Sequence, residues 1–141
     1  MQPLAIVARP APPPRRRRIL AIDDDDGLLD MLVLLLRQSH LDFRAVNGGQ
    51  AGLDLAVSWK PDLILLDLAM PDIDGATFLA SYRKVAATPA PIVLLTGATD
   101  VPARAAELGV ATFITKPFDL GDLVEIVDTY AWGNERDIAW G

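Results

Sequence analysis

"LILLDLAMPDIDG", residues 63–75, holds the pattern on which the reading of the chain turns. Four apolar residues in succession leave no polar side to face water, and Asp67 follows at once. A half-exposed strand would alternate, so an unbroken run of this length reads as a strand buried on both faces. Pro71, Asp72, Asp74 and Gly75 then mark a loop, with the two acids shaping it and Gly75 permitting a tight turn. Strands covered on both sides belong to parallel sheets, whose neighbours are joined by helical crossovers.

The rest of the chain repeats this unit. "ILAI" (19–22), "FRAV" (43–46), "IVLL" (92–95) and "TFIT" (112–115) read as the other strands. Leu28, Met31, Leu32, Leu35 and Leu36 make one helical stripe, and Leu53, Ala56 and Val57 a second. Residues 76–86 and roughly 101–108 carry weaker helical patterns; Leu120, Leu123, Val124 and Val127 make a clear last one. Five β-α units in regular succession predict an α/β fold, a doubly wound (βα)5 parallel sheet with right-handed crossovers. Residues 1–18, with five prolines and five arginines, are expected to form a disordered arm. Residues 19–131 form the domain and 132–141 a tail holding Trp132 and Trp140, with Trp132 expected to dock where the last helix ends.

Composition excludes several classes. The chain has 141 residues, 51% of them hydrophobic, enough for one domain with a real core. It has no cysteine, hence no disulfide framework and no thiolate chemistry. No apolar run approaches the ~20 residues of a spanning helix, and the first segment lacks the order of a secretory leader. A soluble, cytoplasmic protein is expected. Residues 1–18 carry a net charge of +5 and the remainder −11, so the folded body would repel nucleic acid.

In open parallel sheets, ligands bind beyond the carboxyl ends of the strands. The residues at those ends are Asp23 and Asp24, then Asp67, Thr96 and Lys116. Two carboxylates ~4 Å apart repel by about 4 kcal/mol at an effective dielectric near 20. A hard divalent cation such as Mg²⁺, which prefers oxygen ligands, relieves that repulsion. A metal, an amine and a hydroxyl around one carboxylate make a site for phosphoryl transfer onto it. Asp25 and Asp26 read as helix-start residues, favoured there by the helix dipole. His40, the one histidine, reads as an exposed loop or helix-end residue.

"ILAIDDDD", "PDLILLDLAMPDIDG", "PIVLLTGA" and "TFITKPF", in that order on five β-α units, resemble the receiver domain of bacterial two-component response regulators. The resemblance covers residues 19 to about 130 and implies a flavodoxin-like sheet of strand order 2-1-3-4-5. It implies that Asp67 is the phosphoacceptor and that Asp24 binds Mg²⁺ directly. Asp23 would help through water, and the backbone carbonyl of Ala69 would complete the protein ligands. Lys116 would pair with Asp67 or the phosphoryl group, and Thr96 would bond a phosphoryl oxygen. Phe113 falls at the family's aromatic switch position; ordinary strand packing is the other reading. Pro117 follows Lys116 where the family often has a cis bond. The sequence departs from the family in having Asp26 where many members have proline. Ala69 and Ala98 are small and apolar at positions that tune dephosphorylation.

The expected function is a single-domain response regulator. It would take its phosphoryl group from a histidine kinase or a histidine phosphotransfer protein. Output would come through protein contact on the face made by the fourth helix (101–108), fifth strand (112–115) and last helix, the α4-β5-α5 face. A phosphorelay intermediate is a variant of this reading. The expected chemistry is limited to self-phosphorylation and self-dephosphorylation, so the protein is not read as an enzyme. Alternatives are a receiver-fold adaptor, or a receiver excised from a longer regulator with an output domain.

Overall fold

The structure, a computed structural model, describes residues 16–37, 41–97 and 101–140, with Val101 and residues 132–140 in backbone only. His40, Ala98, and the side chains of Trp132 and Trp140 lie outside the described residues. Strands and helices alternate: β1 (Arg18–Asp23), α1 (Asp26–Arg37), β2 (Asp42–Asn47), α2 (Gly49–Trp59), β3 (Leu63–Asp67), α3 (Gly75–Val85), β4 (Ile92–Thr96), α4 (Val101–Leu108), β5 (Thr112–Thr115) and α5 (Leu120–Trp140). All pairings are parallel and the sheet order is β2-β1-β3-β4-β5. This is the predicted doubly wound fold in the predicted order. Every expected strand is present, most of them extended by a residue at one or both ends.

The unbroken apolar runs follow from burial on both faces. Ile19, Ala21, Leu63, Leu65, Val93 and Leu95 point to one side, against Leu29 and Leu32 of α1 and Leu123 and Val127 of α5. Their sequence neighbours Leu20, Ile22, Ile64, Leu66, Ile92 and Leu94 point to the other, against Ala56 of α2 and Phe78, Leu79 and Tyr82 of α3. β3 and β4 are buried at every position, whereas edge strand β2 is only half-covered.

The amino edge of the sheet differs from expectation. β1 begins at Arg18, so the last arginines of the basic run belong to the body. Asp62 accepts from the Arg18 backbone N–H at 2.8 Å, its own N–H donates to the Arg18 carbonyl at 2.7 Å, and Arg17 Nη1 lies 3.5 Å from its carboxylate. The guanidinium of Arg18 donates to the Trp59 carbonyl at 2.6 Å. Arg44 stacks over the Trp59 ring at 4.6 Å, a cation–π contact. At the other end, α5 runs on past the expected boundary at 131 to Trp140. Among the described residues, no helix is long and apolar enough to cross a membrane.

α2 seats on β1 through a close approach. A Cβ at Gly52 would lie 2.6–2.8 Å from three atoms of the Ile22 side chain, which is fully buried. Gly52→Ala is therefore expected to lower stability by about 1–3 kcal/mol, the usual cost of overpacking a core. Urea unfolding measures it; a neutral or stabilising result would show that the α2–β1 contact is looser than described.

Candidate functional site

The carboxyl ends of four strands bring the predicted residues together. β1 ends at Asp23, which has no exposed surface; β3 ends at Asp67, 4% exposed; β4 ends at Thr96, 2% exposed. Lys116 follows β5, and its backbone N–H donates to the Thr96 carbonyl at 2.8 Å, tying the amine's segment to the hydroxyl's strand. Asp24, one residue past β1, is exposed. One carboxylate oxygen from each of Asp23, Asp24 and Asp67 lies within 4.8 Å of the other two.

The lysine reaches Asp67, as expected, and makes a shorter ion pair with Asp23. Lys116 Nζ is 2.7 Å from Asp23 Oδ2 and 3.7 Å from Asp67 Oδ2. Asp23 is the more deeply buried of the two, and a buried carboxylate without a partner is the costlier arrangement. Asp23 Oδ1 also accepts from the Asp25 N–H at 3.0 Å. Asp67 keeps one backbone donor, the Ala69 N–H at 3.2 Å from Oδ1. The peptide bond after Lys116, to Pro117, is cis.

Burial pushes the Asp67 carboxyl up from 3.8 to about 6. The Ala69 N–H opposes that rise, the charge of Asp23 adds to it, Lys116 opposes it, and a hydrogen bond with Asp24 adds again. Three ionised carboxylates around one ammonium leave two negative charges over. The donor set is all oxygen, so its chemistry fits a hard divalent cation.

The remaining acids of both loops are helix caps. Asp25 Oδ1 accepts from the Leu28 N–H at 3.1 Å at the start of α1. Asp74 caps α3 through the Thr77 N–H at 2.7 Å, a bond that holds its carboxyl below the ordinary value. Asp72 reaches across to α2, where the N–H groups of Gly49 and Gln50 donate to it at 3.0 and 3.1 Å and likewise lower its pKa. Gly75 has no left-handed backbone; it is needed because a Cβ there would sit 2.9 Å from Leu68 Cα. Phe113 is half-buried against the α2–α3 side of the core.

Asn47, at the end of β2, went unnoticed in the sequence. Its Nδ2 donates to Asp26 Oδ1 at 2.7 Å and to the Asp24 carbonyl at 3.3 Å. "NGG" after a strand signals only a turn. Nothing local tells that its amide reaches a loop 21 residues earlier.

A family model, response regulator receiver domain, matches residues 19–128. Sporulation initiation phosphotransferase F of Bacillus subtilis is 33% identical over 95 residues, covering 67% of this chain and 76% of that protein. Transcriptional regulatory protein PdtaR of Mycobacterium tuberculosis is 36% identical over 105 residues, covering 71% of this chain; the match spans only about half (49%) of that relative. Among solved structures, the signal receiver domain of an HD domain-containing protein from Pseudomonas fluorescens superposes with a TM-score of 0.79 at 25% identity, covering 92% of this chain and 96% of that one.

The raised Asp67 pKa has a consequence for stability. Between about pH 4 and 6 the folded protein binds the Asp67 proton more tightly than the unfolded chain does. That contribution is fully present below about pH 4 and is lost as pH rises through about 6. Without metal, Asp67→Asn is therefore expected to stabilise the protein by up to about 3 kcal/mol at neutral pH, with the gain shrinking toward pH 4. Paired urea titrations across that range check it; a gain independent of pH would contradict the assignment.

Proposed function

The chain belongs to the family of response regulator receiver domains, and on that premise we propose that Asp67 is its phosphoacceptor. The observation that carries the reading is the meeting of the Asp23, Asp24 and Asp67 carboxylates within 4.8 Å, with Lys116 2.7 Å from Asp23. In this reading, Mg²⁺ would be held by Asp23, Asp24, Asp67 and the carbonyl of Ala69. Bound there, it supplies charge neutralisation for the phosphoryl oxygens.

An Asp67 carboxylate oxygen forms the new O–P bond while the donor's N–P bond, on a histidine of a kinase or phosphotransfer protein, breaks. The attacking group must be ionised, and a carboxyl titrating at about 6 is ionised in most molecules at neutral pH. Lys116, already 3.7 Å from Asp67 Oδ2, follows the charge onto the phosphoryl group. Thr96 donates its hydroxyl to a phosphoryl oxygen. Phe113 then repacks, and the change is read on the α4-β5-α5 face by a partner protein. The chemistry stays on the protein's own carboxylate: phosphorylation, then slow hydrolysis of the acyl phosphate. A place inside a phosphorelay gains support from the relative named as a phosphotransferase, of which this chain covers 76%.

Incubation with Mg²⁺ and acetyl phosphate, or with a phosphorylated kinase, is expected to add one phosphoryl mass. Asp67→Asn should abolish the adduct, and Asp24→Ala should weaken Mg²⁺ binding by tenfold or more, as loss of a direct ligand would (~10–100-fold even for outer-shell partners). No adduct with any donor, or one that survives Asp67→Asn, would defeat the assignment.

A further inference from the structure

The turn after β2 touches both loops that carry the acids. Asn47 lies opposite Asp23 in the β1–β2 ladder, and its amide donates to Asp26 Oδ1 at 2.7 Å and to the Asp24 carbonyl at 3.3 Å. The next residues, Gly49 and Gln50, donate their N–H groups to Asp72, which sits in the loop that begins at Asp67. One short segment, 47–50, thus braces the Asp24 turn on one side and the loop after Asp67 on the other. Asp24 is exposed, so side-chain packing does not hold it in place as it holds Asp23 and Asp67.

We propose that Asn47 is a positioning residue of the cation site, its amide holding the Asp24–Asp26 turn so that the Asp24 carboxylate stays beside Asp23 and Asp67. The inference rests on the Mg²⁺ reading given above. Asn47 does not touch the cation in this account. It fixes the backbone from which an exposed ligand projects. Without it, Asp24 must be ordered at the moment of binding, and the cost appears as lost affinity.

The test is calorimetric titration of the unphosphorylated full chain with Mg²⁺, alongside thermal unfolding without metal. Asn47→Ala is expected to bind about tenfold more weakly than wild type, the lower end of what loss of an outer-shell partner does. Arg83→Ala serves as the control: Arg83 donates to the carbonyls of Leu108 and Gly109, away from the acids, so its loss should lower the melting temperature and leave affinity unchanged. Affinity of Asn47→Ala within about twofold of wild type would overturn the proposal, since outer-shell losses run to ~10-fold or more. So would an equal loss in Arg83→Ala, which would make the effect one of general stability. If Asn47→Ala fails to fold, Asn47→Ser, whose hydroxyl is too short to span both acceptors, decides on the same terms. A wild type that binds no Mg²⁺ would bring down the cation reading and this inference together; binding unaltered by the Asn47 variants would bring down this inference alone.

Discussion

Asp23 has no exposed surface, and the ammonium of Lys116 stands 2.7 Å from it across 93 residues of sequence. A buried carboxylate stripped of its partner would cost on the order of 3–5 kcal/mol, so this contact constrains the whole carboxyl edge. To make it, the first strand and the segment after the last must be brought to the same end of the sheet. β3 and β4 lie between them in the order, which sets Asp67 and Thr96 inside the same edge. The ion pair and the apolar core thus demand one arrangement, and a fold whose local and long-range preferences agree in this way has few competitors.

Balance at that edge is incomplete by design of the charges. One ammonium meets three carboxylates, and the burden falls on Asp67, whose proton is held to about 6 by burial and by its acidic neighbours. Under the proposed function, proton, cation and phosphoryl group would all act on that one carboxylate. A carboxylate that were comfortable there would have less reason to accept any of them.

Much of this was legible in the sequence because it depends on one strand at a time. Unbroken apolar runs at 63–66 and 92–95 announce burial on both faces, and the residue after each run is at the edge by construction. Asp23, Asp24, Asp67, Thr96 and Lys116 were all readable by that rule. What the sequence hid were contacts between distant residues of unremarkable type. The Asn47 amide, the reach of Asp72 to the start of α2, and the grip of Asp62 on Arg17 and Arg18 each join positions at least 20 apart. Periodicity carries no information about such pairs. The preference of Lys116 for Asp23 over Asp67 was hidden for a related reason: it turns on relative depth, which only the packed sheet decides.

Because every strand is parallel, the two rims of the sheet have separate occupations. Arg17, Arg18, Asp62, Trp59 and Arg44 knit the amino rim with ion pairs and stacking, while the acids, Thr96 and Lys116 line the other. The chain enters β1 from the knitted rim. Arg16, exposed just ahead of β1, thus stands at the pole opposite the acids, and a fluorophore or tether carried there leaves the approach to the proposed phosphoryl site clear.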